Sequence, residues 1–511
     1  MRNSVVRLLE KNIITNPGKI ALKDEYGCVT YKEYCETAKK VGTYIAKNYT
    51  QKRNAPIAVL IDRNIKTIIT FLGVAYSGNM YVPIDITMPM QRIQLIFDTL
   101  KPAAIIDAQE TECKIMDSIS FSEIVEKTTQ DDELLECIQR EMIDIDPLYA
   151  MFTSGSTGVP KGVCISHKSV LDLVDAFEEA FSFKEDAVFG NQAPFDFDVS
   201  VKDIYDALNC GGCVNIIPKK MFTSPALLID HLVSENVNTL IWAVSALRII
   251  ADFDTIKHSE TLPMLRDVFF SGEVMPIKTI NYWRKHFKNT RFVNLYGPTE
   301  ITCNCSYFEI DREFLPDEKI PIGKPFANTR IFLLSEVKNL VTKEGEIGEI
   351  CVEGSCLALG YWNNEERTKA SFAVNPFIPE YPSRIYMTGD LGYYDANHDL
   401  VFVGRKDHQI KHMGHRIELG EIENALNQIS DITIAVCVYD ETDEKIICFY
   451  QAEEERKKEI VKELSQKLPK YMWPNKYERY ERLPLNKNGK IDRVLLKKEW
   501  RNKNGKNSQN P

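Results

Sequence analysis

The segment "YAMFTSGSTGVPKGV" at residues 149–163 decides the fold, because a short apolar run changes abruptly into small and hydroxylated residues. Residues 149–152 are typical of the end of a buried strand, and residues 153–158 are typical of a flexible loop. Glycine lets backbone N–H groups approach an anion, hydroxyl groups add donors, and Lys161 adds a positive charge. The segment therefore predicts a strand followed by a phosphate-binding loop. An ordinary strand-to-helix turn is the alternative, since Gly, Ser and Thr are common in turns.

This loop differs from the Walker A loop of nucleoside triphosphatases. That loop has the pattern G-x-x-x-x-G-K-[ST]. Here Lys161 follows Pro160 and precedes Gly162, so the pattern is absent. The sequence excludes that class of phosphate-binding loop.

Length and composition indicate a large globular protein. The chain has 511 residues, which predicts two or more folded units. Its residues are 44% hydrophobic and 27% charged, as is typical of soluble globular proteins. The formal net charge of −10 argues against a nucleic-acid partner.

The distribution of apolar residues predicts a cytoplasmic protein without membrane insertion. The first residues, "MRNSVVRLLEKNIITNPGK", have no long apolar core and no cleavage site, so no signal peptide is predicted. Residues 57–84 are the most apolar stretch, but Asp62, Arg63 and Lys66 interrupt them. The thirteen cysteines are odd in number, which favours reduced thiols over a disulfide framework.

Strand-like and helix-like runs alternate through the first 300 residues, as in "PIAVLID", "IKTIITFLGVAYSG" and "YVPID". This rhythm predicts parallel sheets covered by helices. Residues 320–403 contain short strands separated by turns, and after "GRKD" amphipathic helices and strands alternate again. The predicted fold class is α/β, with a large N-terminal domain of two parallel-type α/β subdomains plus a small β-barrel-like subdomain, followed by a small α+β C-terminal domain. The predicted limits are 1–405 for the N-terminal domain, 406–500 for the C-terminal domain and 501–511 for a disordered tail.

Four further segments combine glycine turns with charged residues. They are "NLYGPTE" (294–300), "YMTGDLGYYD" (386–395), "GRKDHQIKHMGHRIELGEIE" (404–423) and "LPLNKNGKIDR" (483–493). Each segment by itself is compatible with a surface turn or a solvated charge cluster. Together, and in this order, they resemble the adenylate-forming superfamily. The resemblance is strongest to the amino-acid-adenylating domains of nonribosomal peptide synthetases and to stand-alone D-alanine–carrier-protein ligases, and it runs from "VTYKEY" (29–34) to "NGKIDR" (488–493).

The resemblance implies a ligase with a two-step reaction. ATP and a carboxylate give an acyl-adenylate and pyrophosphate, with Mg²⁺ as cofactor. The phosphopantetheine thiol of a carrier protein then takes the acyl group. Bringing two anions together requires positive charge and oriented donors, which the quoted segments contain.

The resemblance also assigns residues to the ATP site. The pyrophosphate portion would bind to the loop residues Thr153, Ser154, Gly155, Ser156, Thr157, Gly158 and Lys161. The nucleoside would contact Asn294, Leu295, Tyr296, Gly297, Thr299, Asp390 and Arg405, with Asp390 on the ribose hydroxyls. Glu300 would hold Mg²⁺, and Lys490 would bridge the substrate carboxylate and the α-phosphate; these two residues and Lys161 are the predicted catalytic residues. Asp407 would be the hinge on which the C-terminal domain rotates between the two steps.

By the same resemblance, Asp198 would pair with the α-ammonium group of an amino acid, which distinguishes amino acids from fatty or aryl acids. The pocket for the side chain would be formed by Val199, Lys202, Ala243, Phe269, Ser271, Leu295, Cys303 and Asn304. Two positions for Lys202 stay open, because it could meet an acidic or amide side chain or turn outward to solvent. The predicted substrate is a small or polar amino acid. D-alanine ligases commonly have cysteine at the position of Ser271.

The sequence predicts a free-standing enzyme that meets its carrier protein in trans, because no carrier-protein motif follows residue 493. Nonribosomal peptide synthesis is the preferred pathway, and D-alanylation of teichoic acid is the alternative. An acyl-CoA ligase is a candidate from another class, and Asp198 argues against it. A non-catalytic relative is disfavoured, since Lys161, Glu300, Asp390 and Lys490 are all present.

Overall fold

The computed structural model describes residues 2–49, 53–111, 117–155, 158–259, 261–407, 409–485 and 491–505. Its helices in chain order are α1 (Val6–Thr15), α2 (Tyr31–Asn48), α3 (Ile65–Tyr76), α4 (Met90–Leu100), α5 (Phe121–Lys127), α6 (Asp132–Glu141), α7 (His167–Phe181), α8 (Val199–Cys210), α9 (Pro225–Ser234), α10 (Val244–Asp252), α11 (Thr255–His258), α12 (Ile277–His286), α13 (Glu365–Ser371), α14 (Leu419–Leu426), α15 (Lys457–Lys467) and α16 (Arg493–Gly505). Short 3₁₀ helices occur at Lys219–Thr223, Thr299–Ile301 and Lys470–Met472.

The strands follow the same chain order. They are β1 (Ile20–Lys23), β2 (Cys28–Thr30), β3 (Pro56–Leu60), β4 (Met80–Ile84), β5 (Ala104–Asp107), β6 (Ile119–Ser120), β7 (Pro147–Thr153), β8 (Lys161–Ser166), β9 (Val188–Asn191), β10 (Cys213–Ile216), β11 (Thr239–Ala243), β12 (Asp267–Ser271), β13 (Arg291–Tyr296), β14 (Ser306–Glu309), β15 (Lys324–Pro325), β16 (Thr329–Leu334), β17 (Leu340–Val341), β18 (Gly348–Gly354), β19 (Gly360–Tyr361), β20 (Phe372–Val374), β21 (Arg384–Tyr394), β22 (Leu400–Arg405), β23 (Gln409–His412), β24 (His415–Glu418), β25 (Ile434–Asp440), β26 (Lys445–Gln451) and β27 (Lys476–Tyr480).

The chain divides into two compact units. Unit 1 comprises Met1–Asp85, Leu100–Met151 and Gly162–Lys406, and unit 2 comprises Ile86–Thr99, Phe152–Lys161 and Asp407–Pro511. Unit 2 therefore includes two short segments that the sequence pattern assigns to the N-terminal domain. The predicted domain limits stay a prediction.

Unit 1 contains two sheets whose central strands are parallel. The seven-stranded sheet has the order β19-β8-β7-β4-β3-β5-β6, and the nine-stranded sheet has the order β15-β14-β13-β12-β11-β9-β10-β1-β2. In the first sheet β3 is parallel to β4 and β5, and in the second β12 is parallel to β11 and β13. Parallel pairing requires crossover connections, which the intervening helices supply. This arrangement agrees with the alternating pattern of strands and helices in the sequence.

An antiparallel sheet follows the two parallel sheets in unit 1. Its order is β17-β16-β18-β21-β20, and β22 pairs with β21. Neighbouring strands in this sheet are antiparallel. The segments "TRIFLL" and "DLVFVG", in which the sequence predicts strands, contribute β16 and β22.

Helix α2 shows how local sequence sets the start of an element. Thr30 precedes the helix and its side chain accepts a hydrogen bond from the backbone N–H of Glu33. The Glu33 carboxylate accepts the backbone N–H of Thr30 in return, at 2.8 Å. This capping box satisfies two N–H groups that have no partner inside the helix. The motif "VTYKEY" therefore fixes the first turn of α2.

Unit 2 contains a small sheet, β25-β26-β27, and the hairpin β23-β24. Alternate residues of β25 point to opposite faces of the sheet. Cys437 packs in one apolar cluster with residues of α14 and α15, whereas Val436 and Val438 pack in a second cluster with Leu496 of α16. Each face of the sheet is thus covered by helices.

The C-terminal helix α16 extends into the segment predicted to be a disordered tail, 501–511. Residues 501–505 are helical, because Trp500 is buried and Arg501 forms an ion pair with Asp440 at 2.7 Å. Residues 506–511 lie outside the described residues. In the part of the chain that the structure describes, no helix is both long enough and apolar enough to cross a bilayer.

Burial of His167 at the start of α7 makes the stability of unit 1 depend on pH. The imidazole is fully buried, and its Nδ1 accepts the backbone N–H of Val5 at 3.3 Å. Burial lowers the pKa of His167 from 6.5 to about 3. The unfolded chain therefore binds a proton below pH 6.5 that the folded chain does not bind. Stability is retained above that pH and falls as the pH drops toward 3.

We expect the free energy of unfolding to fall by up to about 1.4 kcal/mol for each pH unit below the pKa of the unfolded histidine, because of His167 alone. Urea unfolding from pH 8 to pH 4 measures the slope for the unchanged chain and for His167→Asn, whose amide oxygen can still accept the Val5 N–H. The variant should show a flatter dependence on pH. His258→Asn is the matched control, because the side chain of His258 is 72% exposed. Equal slopes for the unchanged chain and His167→Asn would contradict this account.

Candidate active site

The loop after β7 belongs to unit 2 and is held there by its own polar groups. The Ser154 hydroxyl donates to the carbonyl oxygen of Arg416 at 2.8 Å and accepts the backbone N–H of Glu418 at 3.3 Å. The backbone N–H of Gly155 donates to Oε2 of Glu421 at 3.2 Å. The hydroxyl and amide groups of the loop thus form hydrogen bonds with residues that follow Asp407 in the chain. Of the predicted phosphate-binding residues, Ser156 and Thr157 lie outside the described residues.

Both described glycines of this loop are required by the backbone. A Cβ atom at Gly155 would lie 2.1 Å from the carbonyl oxygen of Val159, closer than any real side chain permits. Gly158 has φ +84°, in the left-handed region that favours glycine. The loop is therefore tight, and its N–H groups are directed by backbone geometry.

A buried ion pair lies beside the loop, also within unit 2. Glu421 on α14 forms an ion pair with Arg92 on α4, and both side chains are buried. Burial raises the pKa of Glu421, while the charge of Arg92 and the N–H of Gly155 act in the opposite direction. The loop amide therefore already donates to an anionic oxygen, which is the kind of acceptor that a phosphate would present.

Two other predicted phosphate contacts are placed for an anion. The hydroxyl oxygen of Thr153 is buried and has no hydrogen-bond partner among the described residues. Lys161 begins β8, and its side chain is buried. An orphaned hydroxyl and a buried ammonium in one short segment fit a phosphate-bearing ligand.

In unit 1, Asp390 is held by two neighbouring residues of the predicted nucleoside site. The hydroxyl of Tyr296 donates to Oδ2 of Asp390 at 2.5 Å, and Nη1 of Arg405 donates to Oδ1 at 2.5 Å. Asp390 and Arg405 are direct neighbours across β21 and β22. Burial raises the pKa of Tyr296 well above its usual range, with the Asp390 charge adding to the effect, so the phenol stays a donor. A carboxylate can accept further hydrogen bonds, such as those of ribose hydroxyls.

The turn after β13 brings the remaining nucleoside residues together. A Cβ atom at Gly297 would lie 2.5 Å from the carbonyl oxygen of Cys303, so this turn needs glycine. The amide of Asn294 donates to the carbonyl oxygen of Pro321 at 2.8 Å, and Leu295 is buried. Thr299 begins the 3₁₀ helix that carries Glu300.

Glu300 is fully buried and fits the expected role of a single magnesium ligand. Its Oε1 accepts the hydroxyl of Tyr361 at 2.7 Å. Mg²⁺ in phosphate-transfer sites is commonly bound by one or two carboxylates together with substrate phosphates. Among the described residues no group of three or more His, Cys, Asp and Glu side chains could form a cage for a metal ion. A single carboxylate that shares the ion with phosphate oxygens fits this donor set.

The residues predicted to bind the amino acid follow adjacent strand ends in unit 1. Ala243, Ser271 and Leu295 lie at the carboxyl ends of the neighbouring parallel strands β11, β12 and β13, and Ala243 is paired directly with Ser271. Ligands of open α/β sheets bind at this edge. Phe269 lies one strand repeat before Ser271, and its ring packs on Phe181 at 4.7 Å between centroids.

Asp198 immediately precedes α8, and Val199 begins that helix. The Asp198 side chain makes no capping hydrogen bond to the helix in the described chain, although aspartate favours that role.

Lys202 and Asn304 meet in the interior of unit 1. Both side chains are buried, and Nζ of Lys202 donates to Oδ1 of Asn304 at 2.6 Å. Of the two positions left open by the sequence, the outward one is excluded. Cys303 lies beside them and is also buried. The structure thus brings these three residues together.

Sequence reasoning missed three partners of the predicted residues. Arg92 and Glu421 belong to segments without a charge pattern that would link them, and Tyr361 lies outside the quoted motifs. The only sequence signal for any of these partners is that Glu421 follows a glycine in the quoted segment "ELGEIE". Lys490 lies outside the described residues, and Asp407, the predicted hinge residue, is exposed.

Comparisons with known proteins identify the family of the chain. Residues 9–362 match the family model of the AMP-binding enzyme, and residues 421–490 match that of the AMP-binding enzyme C-terminal domain. Tyrocidine synthase 1 of Brevibacillus parabrevis is 31% identical over 96% of this chain, which spans 45% of that relative. D-alanine–D-alanyl carrier protein ligase of Bacillus licheniformis is 32% identical, covering 97% of this chain and 99% of that relative.

A solved structure shares the fold. The Vibrio cholerae adenylation domain AlmE, in complex with glycyl-adenosine-5′-phosphate, matches with a TM-score of 0.82 at 22% identity, over 98% of each chain. This match confirms the predicted α/β fold class. Together, the family models and the relatives confirm the resemblance stated from the sequence motifs, and the predicted class of adenylate-forming ligase agrees with them.

The ion pair between Arg92 and Glu421 should stabilise unit 2 far more than an exposed pair. Glu421→Gln leaves the buried guanidinium without a counter-charge, which costs about 3–5 kcal/mol. Replacing both residues, as Arg92→Met with Glu421→Leu, should recover most of that loss, because no buried charge remains. Native-state hydrogen exchange of peptides from unit 2 measures each variant.

Lys127→Met is the matched control, because it removes the exposed ion pair with Glu123, which should be worth less than about 1 kcal/mol. Purely additive effects of Arg92→Met and Glu421→Leu would show that the pair has no coupling energy.

Proposed function

Because the chain belongs to the AMP-binding enzyme family, we propose that it is an ATP-dependent, AMP-forming ligase that activates an amino acid and transfers it to a carrier protein. The acceptor is the phosphopantetheine thiol of a carrier protein that binds in trans. The expected substrate is a small or polar amino acid, and the expected pathway is of the nonribosomal-peptide type. The chain spans less than half of the length of tyrocidine synthase 1. The proposed activity is therefore limited to the adenylation and transfer steps and does not include the other activities of that relative.

The observation that carries the proposal is the contact of the Gly155 N–H with the carboxylate of Glu421, at 3.2 Å. It supports an anion-binding role for a loop whose other groups include the orphaned hydroxyl of Thr153 and the buried ammonium of Lys161. Pyrophosphate is the anion that must be held and released in an AMP-forming ligase. The loop from Thr153 to Gly158, together with Lys161, is the proposed site for it.

In the proposed first step, a carboxylate oxygen of the amino acid attacks the α-phosphorus of ATP. The bond between the α-phosphorus and its bridging oxygen breaks, and pyrophosphate leaves. The loop N–H groups and Lys161 stabilise the charge that develops on the leaving group. Lys490, which lies outside the described residues, would hold the carboxylate and the α-phosphate together. Glu300 would hold Mg²⁺, which would supply positive charge to the phosphates.

The nucleoside would be held by the end of β13 and the β21–β22 pair. Asp390, fixed by Tyr296 and Arg405, would accept the ribose hydroxyls. The adenine would lie against Asn294 and Tyr296. The remaining predicted contacts, from Leu295, Gly297 and Thr299, are in the same turn.

In the proposed second step, the carrier thiol loses its proton and attacks the carbonyl carbon of the adenylate. The single bond between the carbonyl carbon and the phosphate oxygen breaks, and AMP leaves. The resemblance assigns the change between steps to rotation about Asp407, which would withdraw Lys490 and admit the thiol. Lysine and arginine residues of the segment 405–416 would attract an acidic carrier.

Asp198 is the proposed acceptor of the substrate α-ammonium group. It immediately precedes α8, whose first residue, Val199, belongs to the same predicted amino acid site. A partly buried carboxylate opposite an ammonium group distinguishes amino acids from acids that lack one. This role separates the proposal from an acyl-CoA ligase.

A second candidate is a D-alanine–D-alanyl carrier protein ligase for teichoic acid. The specific observation in its favour is that such a relative is 32% identical to this chain over 97% of this chain and 99% of the relative. It differs from the first candidate in the amino acid and the carrier, while the chemistry is the same.

Amino-acid-dependent exchange of pyrophosphate into ATP tests the proposed class. The panel contains the common L-amino acids, D-alanine and D-serine, with Mg²⁺. We expect at least one amino acid to give exchange and fatty or aryl acids to give none. Asp198→Asn should abolish the response, whereas Asp395→Asn, in the turn after β21, should retain it, because an amide oxygen can still accept the N–H groups of Asn397 and Asp399. Absence of exchange with every amino acid, together with turnover of free coenzyme A and a fatty acid, would replace the proposal by an acyl-CoA ligase.

Lys490→Ala should separate the two half-reactions. Adenylation should fall by more than about 100-fold, because the variant lacks the cation between two anions. Transfer from a preformed aminoacyl-adenylate to the carrier thiol should stay within a few-fold of the unchanged enzyme. Single-turnover assays measure both steps. Lys487→Ala, in the same segment, is the matched control, and an equal loss of both steps in Lys490→Ala would contradict the bridging role.

A further inference from the structure

We propose that the side chain of the amino acid substrate carries a carboxylate, which accepts hydrogen bonds from Lys202 and Asn304. The inference rests on the proposed function, because it uses the same amino acid site and names the class of its substrate. The expected substrates are dicarboxylic amino acids, of the aspartate and glutamate class. The observations are the placement, burial and unfilled hydrogen bonds of these two residues.

The position of Lys202 fits a short substrate. It lies one helical turn after Asp198, the proposed acceptor of the α-ammonium, so both residues face the same side of α8. One turn of helix advances about 5.4 Å. A small amino acid whose α-ammonium contacts Asp198 can therefore bring a side-chain carboxylate close to Lys202.

The donors of Lys202 and Asn304 exceed the acceptors around them. Lys202 is fully buried, and among the described residues its Nζ donates to Oδ1 of Asn304 at 2.6 Å and also interacts with the thiol of Cys303. No carboxylate lies within ion-pair distance of Nζ among the residues that the structure describes. The Nδ2 group of Asn304 is buried and has no acceptor there either. An ammonium carries several N–H donors, so two neighbouring donor groups are left unfilled.

A buried donor without an acceptor is costly, and a buried charge without a counter-charge is more so. A carboxylate is the ligand that removes both costs, because its two oxygens accept from an ammonium and an amide at once. An uncharged amide or hydroxyl can accept a hydrogen bond here, but it supplies no counter-charge. Charge therefore favours an acidic side chain over asparagine, glutamine or serine.

The carboxyl groups of Asp203 and Asp206 interact electrostatically with Lys202 but form no direct ion pair with it among the described residues. Burial raises the pKa of Cys303 to about 12, so the thiol stays neutral. Burial raises the pKa of Asp203 to about 7 and that of Asp206 well above its usual range, although Lys202 opposes both shifts. The Asp203 carboxylate accepts the amide of Asn191 at 2.8 Å.

Pyrophosphate exchange with the full chain tests the inference directly. The panel of amino acids is extended by D-aspartate and D-glutamate, and kcat/KM is compared for acidic and uncharged members. We expect an acidic amino acid to exceed every uncharged one by at least 10-fold. A higher kcat/KM for alanine, serine, glycine or an amide would overturn the inference while leaving the proposed ligase function intact. Silence for all amino acids would remove the ligase function and the inference with it.

Variants test which residues select the substrate. Lys202→Met keeps the length of the side chain and removes its charge, so kcat/KM for the acidic amino acid should fall by at least 100-fold, mainly through KM. The preference should move toward uncharged amino acids. Lys168→Met, on the exposed part of α7, is the matched control and should leave the preference unchanged.

A second variant covers the case in which Lys202→Met does not fold. Asn304→Asp is nearly isosteric and supplies Lys202 with a counter-charge, so the fold should be kept or stabilised. The new carboxylate would repel an acidic side chain, and kcat/KM for the acidic amino acid should fall by at least 100-fold with an unchanged melting temperature. An acidic preference that survives in Asn304→Asp would overturn the assignment.

Discussion

The parallel hydrogen bonding of β11, β12 and β13 is the constraint on which the candidate site depends. Because these strands run in the same direction, their carboxyl ends meet at one edge of the nine-stranded sheet. Register decides which side chains reach that edge. Phe269 packs in one apolar cluster and Phe270 in another, on the two faces of the sheet. A shift by one residue would exchange these faces, so core packing and site geometry are fixed together.

Buried charge is the second constraint, and it is handled in different ways across the chain. Arg92 with Glu421, and Arg405 with Asp390, are ion pairs whose partners neutralise each other. The buried Lys202 instead donates to an amide oxygen, which satisfies a hydrogen bond without cancelling the charge. A fold that contains such a group is less stable than one with an apolar residue in its place. This cost is explicable when a ligand completes the arrangement.

Much of the fold could be predicted from the sequence because its signals are local. The capping box at Thr30 and Glu33 fixes the start of α2, and the alternation of apolar strands with amphipathic helices predicts parallel sheets. Contacts between distant segments could not be predicted in this way. Arg92 and Glu421 have no motif that links them, and hydrophobic periodicity carries no information on ion pairs. The position of Lys202 also needed the structure, since one helical residue can face the core or the solvent with the same neighbours in sequence.

The loop from Thr153 to Gly158 combines a local sequence signal with contacts between distant segments. A backbone N–H of this loop can donate to only one strong acceptor at a time. In this structure the N–H of Gly155 donates to Glu421, and the hydroxyl of Ser154 donates to the carbonyl oxygen of Arg416. Under the proposed function, pyrophosphate would need the same groups. The two sets of contacts are then mutually exclusive. Contacts of this kind give the segments after Asp407 a direct physical dependence on whether the loop holds its anion.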